Sequence, residues 1–110
     1  MVTRMLIAEV MTTYPDRGSA AEFAREIVEG GLAACVQIIP ISSVYLWKGN
    51  VEEEGEHLLL IKTREEHIRE IEEALRESHP YDVPQFLVNK GMEGSVDYVE
   101  WLESSTSPGE

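Results

Sequence analysis

Cysteine is almost absent. The 110 residues contain one, Cys35. A lone cysteine closes no internal disulfide and builds no multi-cysteine zinc site within one chain, so a disulfide-stapled secreted fold is excluded and a reducing, cytoplasmic setting is expected. Basic residues are scarce too: nine Lys and Arg stand against 21 Asp and Glu, for a net charge of −12, and only three of the nine are Lys. A surface this negative repels phosphate backbones and anionic lipid headgroups, which argues against nucleic-acid and membrane partners. It attracts cations diffusely, which is not the same as a metal site. Long hydrophobic runs are missing. The longest run of branched aliphatic residues is Leu58-Leu59-Leu60-Ile61, far short of the roughly 20 residues that cross a bilayer. The apolar stretch from Met1 to Met11 is broken by Arg4 and Glu9 and lacks a small-residue cleavage site, so it does not read as a targeting segment.

Catalytic signatures are missing as well. The chain has no Walker loop, no G-x-G-x-x-G, no G-x-S-x-G and no H-E-x-x-H. An acylphosphatase-type site would need a cationic loop after the first strand, and that loop here carries Asp16. The expectation is therefore a protein that is not an enzyme.

What is present is a regular alternation of strands and helices. Met5 to Met11 reads as a buried strand, and Thr12 to Asp16 as the turn after it. Asp16 suits a helix N-cap. Ala20, Ala21, Ala24, Ile27 and Val28 recur at helical spacing, with Phe23 at the stripe's edge, and Gly30-Gly31 supplies a stop. Leu32 to Trp47 is a long, β-branched and aromatic strand with Pro40 marking a bulge or bend. Lys48 to Gly55 reads as the hairpin connection, and Glu56 to Thr63 as the returning strand. Thr63-Arg64-Glu65-Glu66 has capping-box spacing, and Ile68, Ile71 and Leu75 face one way on the helix it opens. His79-Pro80 ends that helix. Val83 to Met92 reads as a fourth strand and Ser95 to Leu102 as a closing helix. The order is βαββαβ plus a C-terminal helix, an α+β, ferredoxin-like split βαβ arrangement. One domain spans residues 1–103, and 104–110 reads as a flexible tail.

The hairpin between the second and third strands is long for so small a domain. An arm bearing Val44, Tyr45, Trp47 and Leu58 would expose apolar surface and a bare edge, and a closed ring of three or more copies would hide both.

Few side chains invite a chemical role. His79, at a helix end before Pro80-Tyr81, reads either as a metal ligand or as a cap on the last carbonyls. His57 and His67 read as surface residues. Cys35 lacks a visible basic neighbour and reads as buried and inert. Lys62, in an apolar strand, would either contact an anionic ligand in a cleft between subunits or pair with a carboxylate such as Glu56. Tyr45 and Trp47 share one strand face, and Tyr98 and Trp101 share one helix face. These rings would form either an aromatic-lined pocket or interface core.

Six short segments in order resemble the CutA divalent-cation tolerance family. They are Thr12-Thr13-Tyr14-Pro15-Asp16, Leu32-Ala33-Ala34-Cys35-Val36, Tyr45-Leu46-Trp47-Lys48-Gly49, the strand from Glu56 to Lys62-Thr63, His79-Pro80-Tyr81-Asp82-Val83-Pro84, and Asp97-Tyr98-Val99-Glu100-Trp101-Leu102. The resemblance implies a ferredoxin-like homotrimer with intertwined hairpin arms. It also implies a link to divalent-cation tolerance, with no required cofactor and a copper or zinc ion as the cation bound. Where some members carry a Cys after the first strand and a second His before His-Pro-Tyr, this chain has Thr12 and Ser78, so His79 alone remains of that ligand set. The resemblance to PII-type trimers implies an alternative, a small-ligand sensor. Its cleft between subunits would draw on Cys35, Tyr45, Trp47, Glu56, Lys62, Tyr81 and Trp101. A structural trimer that docks another protein is a third expectation.

Overall fold

Two strands open the chain in the computed structural model, which describes residues 2–4 and 7–106. β1 (Val2–Arg4) pairs antiparallel with β6 (Glu93–Ser95), and β2 (Ile7–Tyr14) is a central strand of the main sheet. The expected start of that strand, Met5, lies outside the described residues. Its expected end at Met11 is overrun by three residues, because Thr12, Thr13 and Tyr14 go on pairing with Leu59, Leu58 and His57. β-branched threonines extend a strand as readily as they start a turn.

α1 (Arg17–Glu29) begins where Asp16 Oδ1 accepts the Ser19 N–H at 2.8 Å. It ends in a Schellman turn: Leu32 N–H donates to the Ile27 carbonyl at 2.9 Å, Gly31 N–H to Val28 at 3.1 Å, and Gly31 takes φ 76°. Ala20, Phe23, Ala24 and Ile27 are buried, so Phe23 sits inside the stripe and Val28 is exposed, a one-residue rotation of the expected face.

β3 (Ala33–Trp47) and β4 (Asn50–Arg64) form the arm. Their connection is two residues, not the eight expected. Lys48 at φ 51° and Gly49 at φ 82° are both left-handed, the signature of a type I′ turn. Glu52, Glu53 and Glu54 therefore lie on a strand rather than in a loop. The bulge falls between Ala33 and Cys35, and Pro40 stays in register opposite His57. β3 is a sheet edge, where a missing N–H costs no ladder bond.

The capping box does not form. Thr63 is still in β4, a 3₁₀ turn covers Glu65–His67, and α2 (Ile68–Ser78) starts without a side-chain cap. Ile71 and Leu75 are buried and Ile68 packs on them. His67, expected at the surface, is 2% exposed, with its Nδ1 3.5 Å from Glu70 Oε1. β5 (Leu87–Lys90) is shorter than expected. Val83 to Phe86 runs irregularly and Pro84 does not start the strand. α3 (Val96–Ser105) takes Ser95 as its N-cap. Thr106 is 2% exposed, and the Arg64 side chain donates to Thr106 Oγ1 and to the Glu103 carbonyl, each at 2.6 Å. The tail expected from Ser104 is thus helical to Ser105 and clamped at Thr106.

The main sheet is fully antiparallel in the order β3-β4-β2-β5, the ferredoxin-like arrangement. α1 and α2 cover one face, burying Val10, Tyr14, Leu59 and Ile61. α3 covers one end of the other face through Ile7, Ala34, Val99 and Leu102. The far end of that face and the arm beyond it carry the cleft described next. No described helix is long and apolar enough to cross a membrane.

Candidate functional site

The arm's inner face is fixed by strand alternation. Glu52, Glu54 and Glu56 are spaced i, i+2 on β4 and share one face. Tyr45 pairs with Glu52 and Ser43 with Glu54, which puts Tyr45 and Trp47 on that same face of β3. The chain leaving α2 passes in front of it, and the space between is a cleft of about 760 Å³. Thr13, Tyr45, Trp47, Glu52, Glu54, Glu56, Tyr81, Asp82 and Gln85 are among the residues that line it.

Two phenols brace the carboxylates. Tyr45 donates its O–H to Glu54 Oε1 at 2.7 Å, and Tyr81 donates to Glu56 Oε2 at 3.0 Å. The Glu54 carboxylate holds the Tyr45 phenol up at about 12, with burial adding to it. Burial, and then Glu56, push the Tyr81 phenol well above the usual tyrosine range. Both tyrosines are therefore proton donors at neutral pH. Glu56 is 7% exposed. No described Lys or Arg side chain forms an ion pair with Glu52, Glu54, Glu56 or Asp82. The cleft is negative, ringed by aromatic faces and open to solvent.

His79 stands behind this cleft rather than in it. Its Nε2 lies 2.6 Å from the Thr13 carbonyl, and its Nδ1 accepts the Tyr81 N–H at 3.1 Å. A carbonyl only accepts and an amide N–H only donates, so the ring is the Nε2–H tautomer. Both nitrogens are engaged within the chain. The ring makes tilted contacts with Tyr14, at 4.4 Å between centroids and 37°, and with Tyr81, at 4.9 Å and 55°. A metal ligand needs a free imidazole lone pair, and here Nδ1 has given its own to Tyr81. Among the described residues no three His, Cys, Asp or Glu side chains gather closely enough to hold a metal ion. The residues present do not fit a bare copper or zinc ion at His79.

Within one copy, the residues expected to line a cleft between subunits fall into two groups. Tyr45, Trp47, Glu56 and Tyr81 do come together. Lys62 pairs with Glu9, its cross-strand neighbour, and not with Glu56. Cys35 sits opposite Lys62 in the sheet and is half-buried. Tyr98 is close by: burial raises its phenol, Cys35 adds to the effect and Lys62 opposes it. Trp101 stacks beside Tyr98 at 5.4 Å. Within one copy, Cys35, Lys62 and Trp101 thus sit at the α3 end of the sheet, away from this cleft. Glu52, Glu54 and Asp82 were missed. A two-residue turn at Lys48-Gly49 was the signal that would have put the two glutamates on one strand face with Glu56.

Comparison with known proteins gives one consistent result. The model of the CutA1 divalent ion tolerance protein family matches residues 8–105. The chain is 43% identical over 98 residues to Protein CutA, chloroplastic, of Arabidopsis thaliana, covering 88% of this chain and 54% of that protein. It is 39% identical over 98 residues to the divalent-cation tolerance protein CutA of Thermus thermophilus, covering 88% of this chain and 95% of that one. The chain spans about half the length of the plant relative and nearly all of the bacterial one. The solved CutA of Synechococcus elongatus superposes with a TM-score of 0.91 at 36% identity, covering 97% of this chain and 96% of that one. The same cyanobacterial protein has been solved in complex with a Bis-Tris molecule.

Proposed function

Because the chain belongs to the CutA1 divalent ion tolerance family, we propose that it is a non-enzymatic, cation-responsive homotrimer that gathers its cation in the acidic cleft beside the hairpin arm. The cleft's charge carries this reading. Four carboxylates, one of them buried, face a confined space without a described cationic side chain among them. Low-dielectric walls focus such a field and concentrate cations there. With no ligand cluster among the described residues, a divalent ion is held through its water shell, and affinity for Cu²⁺ or Zn²⁺ is weak.

The trimer is supported by surface that one copy leaves uncovered. Val51 is 75% exposed, Leu46 70% and Val44 65%, all on the arm, and Leu87 on the opposite edge strand is 55% exposed. Both β3 and β5 present unpaired edges.

The rings of Tyr45, Trp47 and Tyr81 favour a second reading, a sensor of a small organic cation, since ammonium groups bind aromatic faces, as the Lys48 ammonium already does 5.8 Å from the Trp47 centroid. The cyanobacterial complex with Bis-Tris, a hydroxylated amine, supports it. An anionic ligand held by Lys62 is not favoured, because Lys62 is engaged by Glu9.

Titration calorimetry with Zn²⁺, Cu²⁺ and Bis-Tris tests both readings. Saturable heat is expected in the wild type and a loss of it in Glu54→Gln/Glu56→Gln. A flat wild-type response to all three probes would remove the cation-binding function.

A further inference from the structure

We infer that His79 is a positioning residue, a neutral strut between the core and the cleft wall, and not the metal ligand that its His-Pro-Tyr context suggests. A continuous chain of hydrogen bonds runs through its ring. The Thr13 carbonyl, near the end of β2, accepts from His79 Nε2 at 2.6 Å. His79 Nδ1 accepts from the Tyr81 N–H at 3.1 Å. The Tyr81 hydroxyl donates to Glu56 Oε2 at 3.0 Å. One imidazole therefore joins the buried end of β2 to the segment that closes the cleft, and Tyr81 joins that segment to the arm.

Direction matters in this chain. The Thr13 carbonyl can only accept and the Tyr81 N–H can only donate, so a second tautomer would set an N–H against the Tyr81 N–H and a lone pair against the Thr13 carbonyl. Coordination of a metal at Nδ1 would break the Tyr81 bond. Coordination at Nε2 would require that nitrogen's proton to leave and the Thr13 contact to open. Tilted ring contacts with Tyr14 and Tyr81 pack both sides of the imidazole while the two bonds fix its rotation. Pro80, between the two bonded residues, limits how the segment can relax. The effect on ligand affinity rests on the cleft reading above, but the strut itself does not.

The test has one arm that needs no ligand. In ¹⁵N-histidine-labelled protein, with the His79 signals assigned by their loss in His79→Phe, Nε2 should carry the proton and Nδ1 should not. Neither line should move with stoichiometric Zn²⁺. His79→Phe keeps a stacking ring and removes both bonds, so the Tyr81 amide should exchange about tenfold faster or more, as a freed N–H does. In the second arm, the Bis-Tris affinity of His79→Phe should fall about tenfold, the equivalent of one or two lost hydrogen bonds. A Zn²⁺-induced shift of the His79 lines, the opposite tautomer, or wild-type Tyr81 exchange in His79→Phe would overturn the strut. Retained affinity in His79→Phe would overturn its role in the cleft. Absence of Bis-Tris binding in the wild type would count against the cleft reading alone and leave the first arm to decide the strut.

Discussion

Thr63 Oγ1 donates to the Leu32 carbonyl at 2.6 Å, tying the end of the hairpin to the residue just before the hairpin begins. Thr63 is fully buried. Leu32 also donates its N–H to the Ile27 carbonyl, so its backbone closes the α1 turn with one group and the root of the arm with the other. Thr63→Val keeps the shape and deletes the donor. A buried carbonyl left without it costs about 1–3 kcal/mol. Urea denaturation should show that loss in midpoint without a change in slope, and an unchanged midpoint would mean that water replaces the bond.

The same threonine shows where sequence reasoning holds and where it stops. Strand and helix order was legible because apolar periodicity is set by burial of one face, as Val10, Leu59, Ile61, Ile71 and Leu75 confirm. Thr63 fits a capping box through its local spacing to Glu66. Its real partner is Leu32, 31 residues away in sequence, and no local pattern encodes that. His79 is a similar case: its neighbours in sequence suggested a ligand, while its bond to Thr13 spans 66 residues. Tyr45, Trp47 and Glu56 share one cleft within a single copy because the two-residue turn sets the cross-strand register, a turn that the expected eight-residue connection does not contain. Cys35, Lys62 and Trp101 lie at the other end of that face in the same copy, because which end of the sheet α3 covers is decided by packing of Val99 and Leu102, which no local pattern encodes.

Alkaline pH should destabilise the fold through Tyr14. Burial pushes its phenol up to about 12, with the Ser78 hydroxyl partly offsetting that. The folded value lies above the unfolded value near 10. The folded state therefore binds the proton more tightly, and this contribution is complete below about pH 10 and lost as pH rises toward 12. Tyr14→Phe should flatten the decline relative to wild type over that window in thermal melts. Parallel curves would show that another phenol governs it.

The arm's tip depends on two left-handed residues. A Cβ added at Gly49 would meet nothing within 4 Å, so any cost of Gly49→Ala comes from its φ of 82° alone. That strain is about 1 kcal/mol. Lys48→Asn, which suits φ 51° and the type I′ turn, should instead raise stability by a few tenths to about 1 kcal/mol. Opposite shifts in melting temperature are the expected result, and a neutral Gly49→Ala would mean the turn changes type.

Assembly should fail when the arm's outer face becomes charged. Leu46 and Val51 pair across the hairpin on the face opposite Tyr45 and Glu52, and both are largely exposed in one copy. Buried against a neighbour, each would contribute roughly 1.5–3 kcal/mol of apolar transfer energy. Leu46→Asp/Val51→Asp should convert a trimer to monomers in sedimentation equilibrium while leaving the circular dichroism of the subunit intact. An unchanged mass would place the contact elsewhere.

Lys62 and Glu9 offer the sharpest test of how charge is handled on the sheet's second face. They are direct cross-strand partners, and their side chains are only 18% and 15% exposed. Removing one partner strands a mostly buried charge, so Lys62→Ala should cost about 3 kcal/mol. Replacing both with apolar residues of similar volume removes the desolvation penalty together with the attraction, so Lys62→Met/Glu9→Leu should recover most of that loss. Denaturation must be compared at one protein concentration, because assembly would shift every midpoint by mass action. If the double variant is as unstable as Lys62→Ala, the pair does more than cancel its own charge. If Lys62→Ala costs under about 1 kcal/mol, solvent already screens the pair as it does at an open surface.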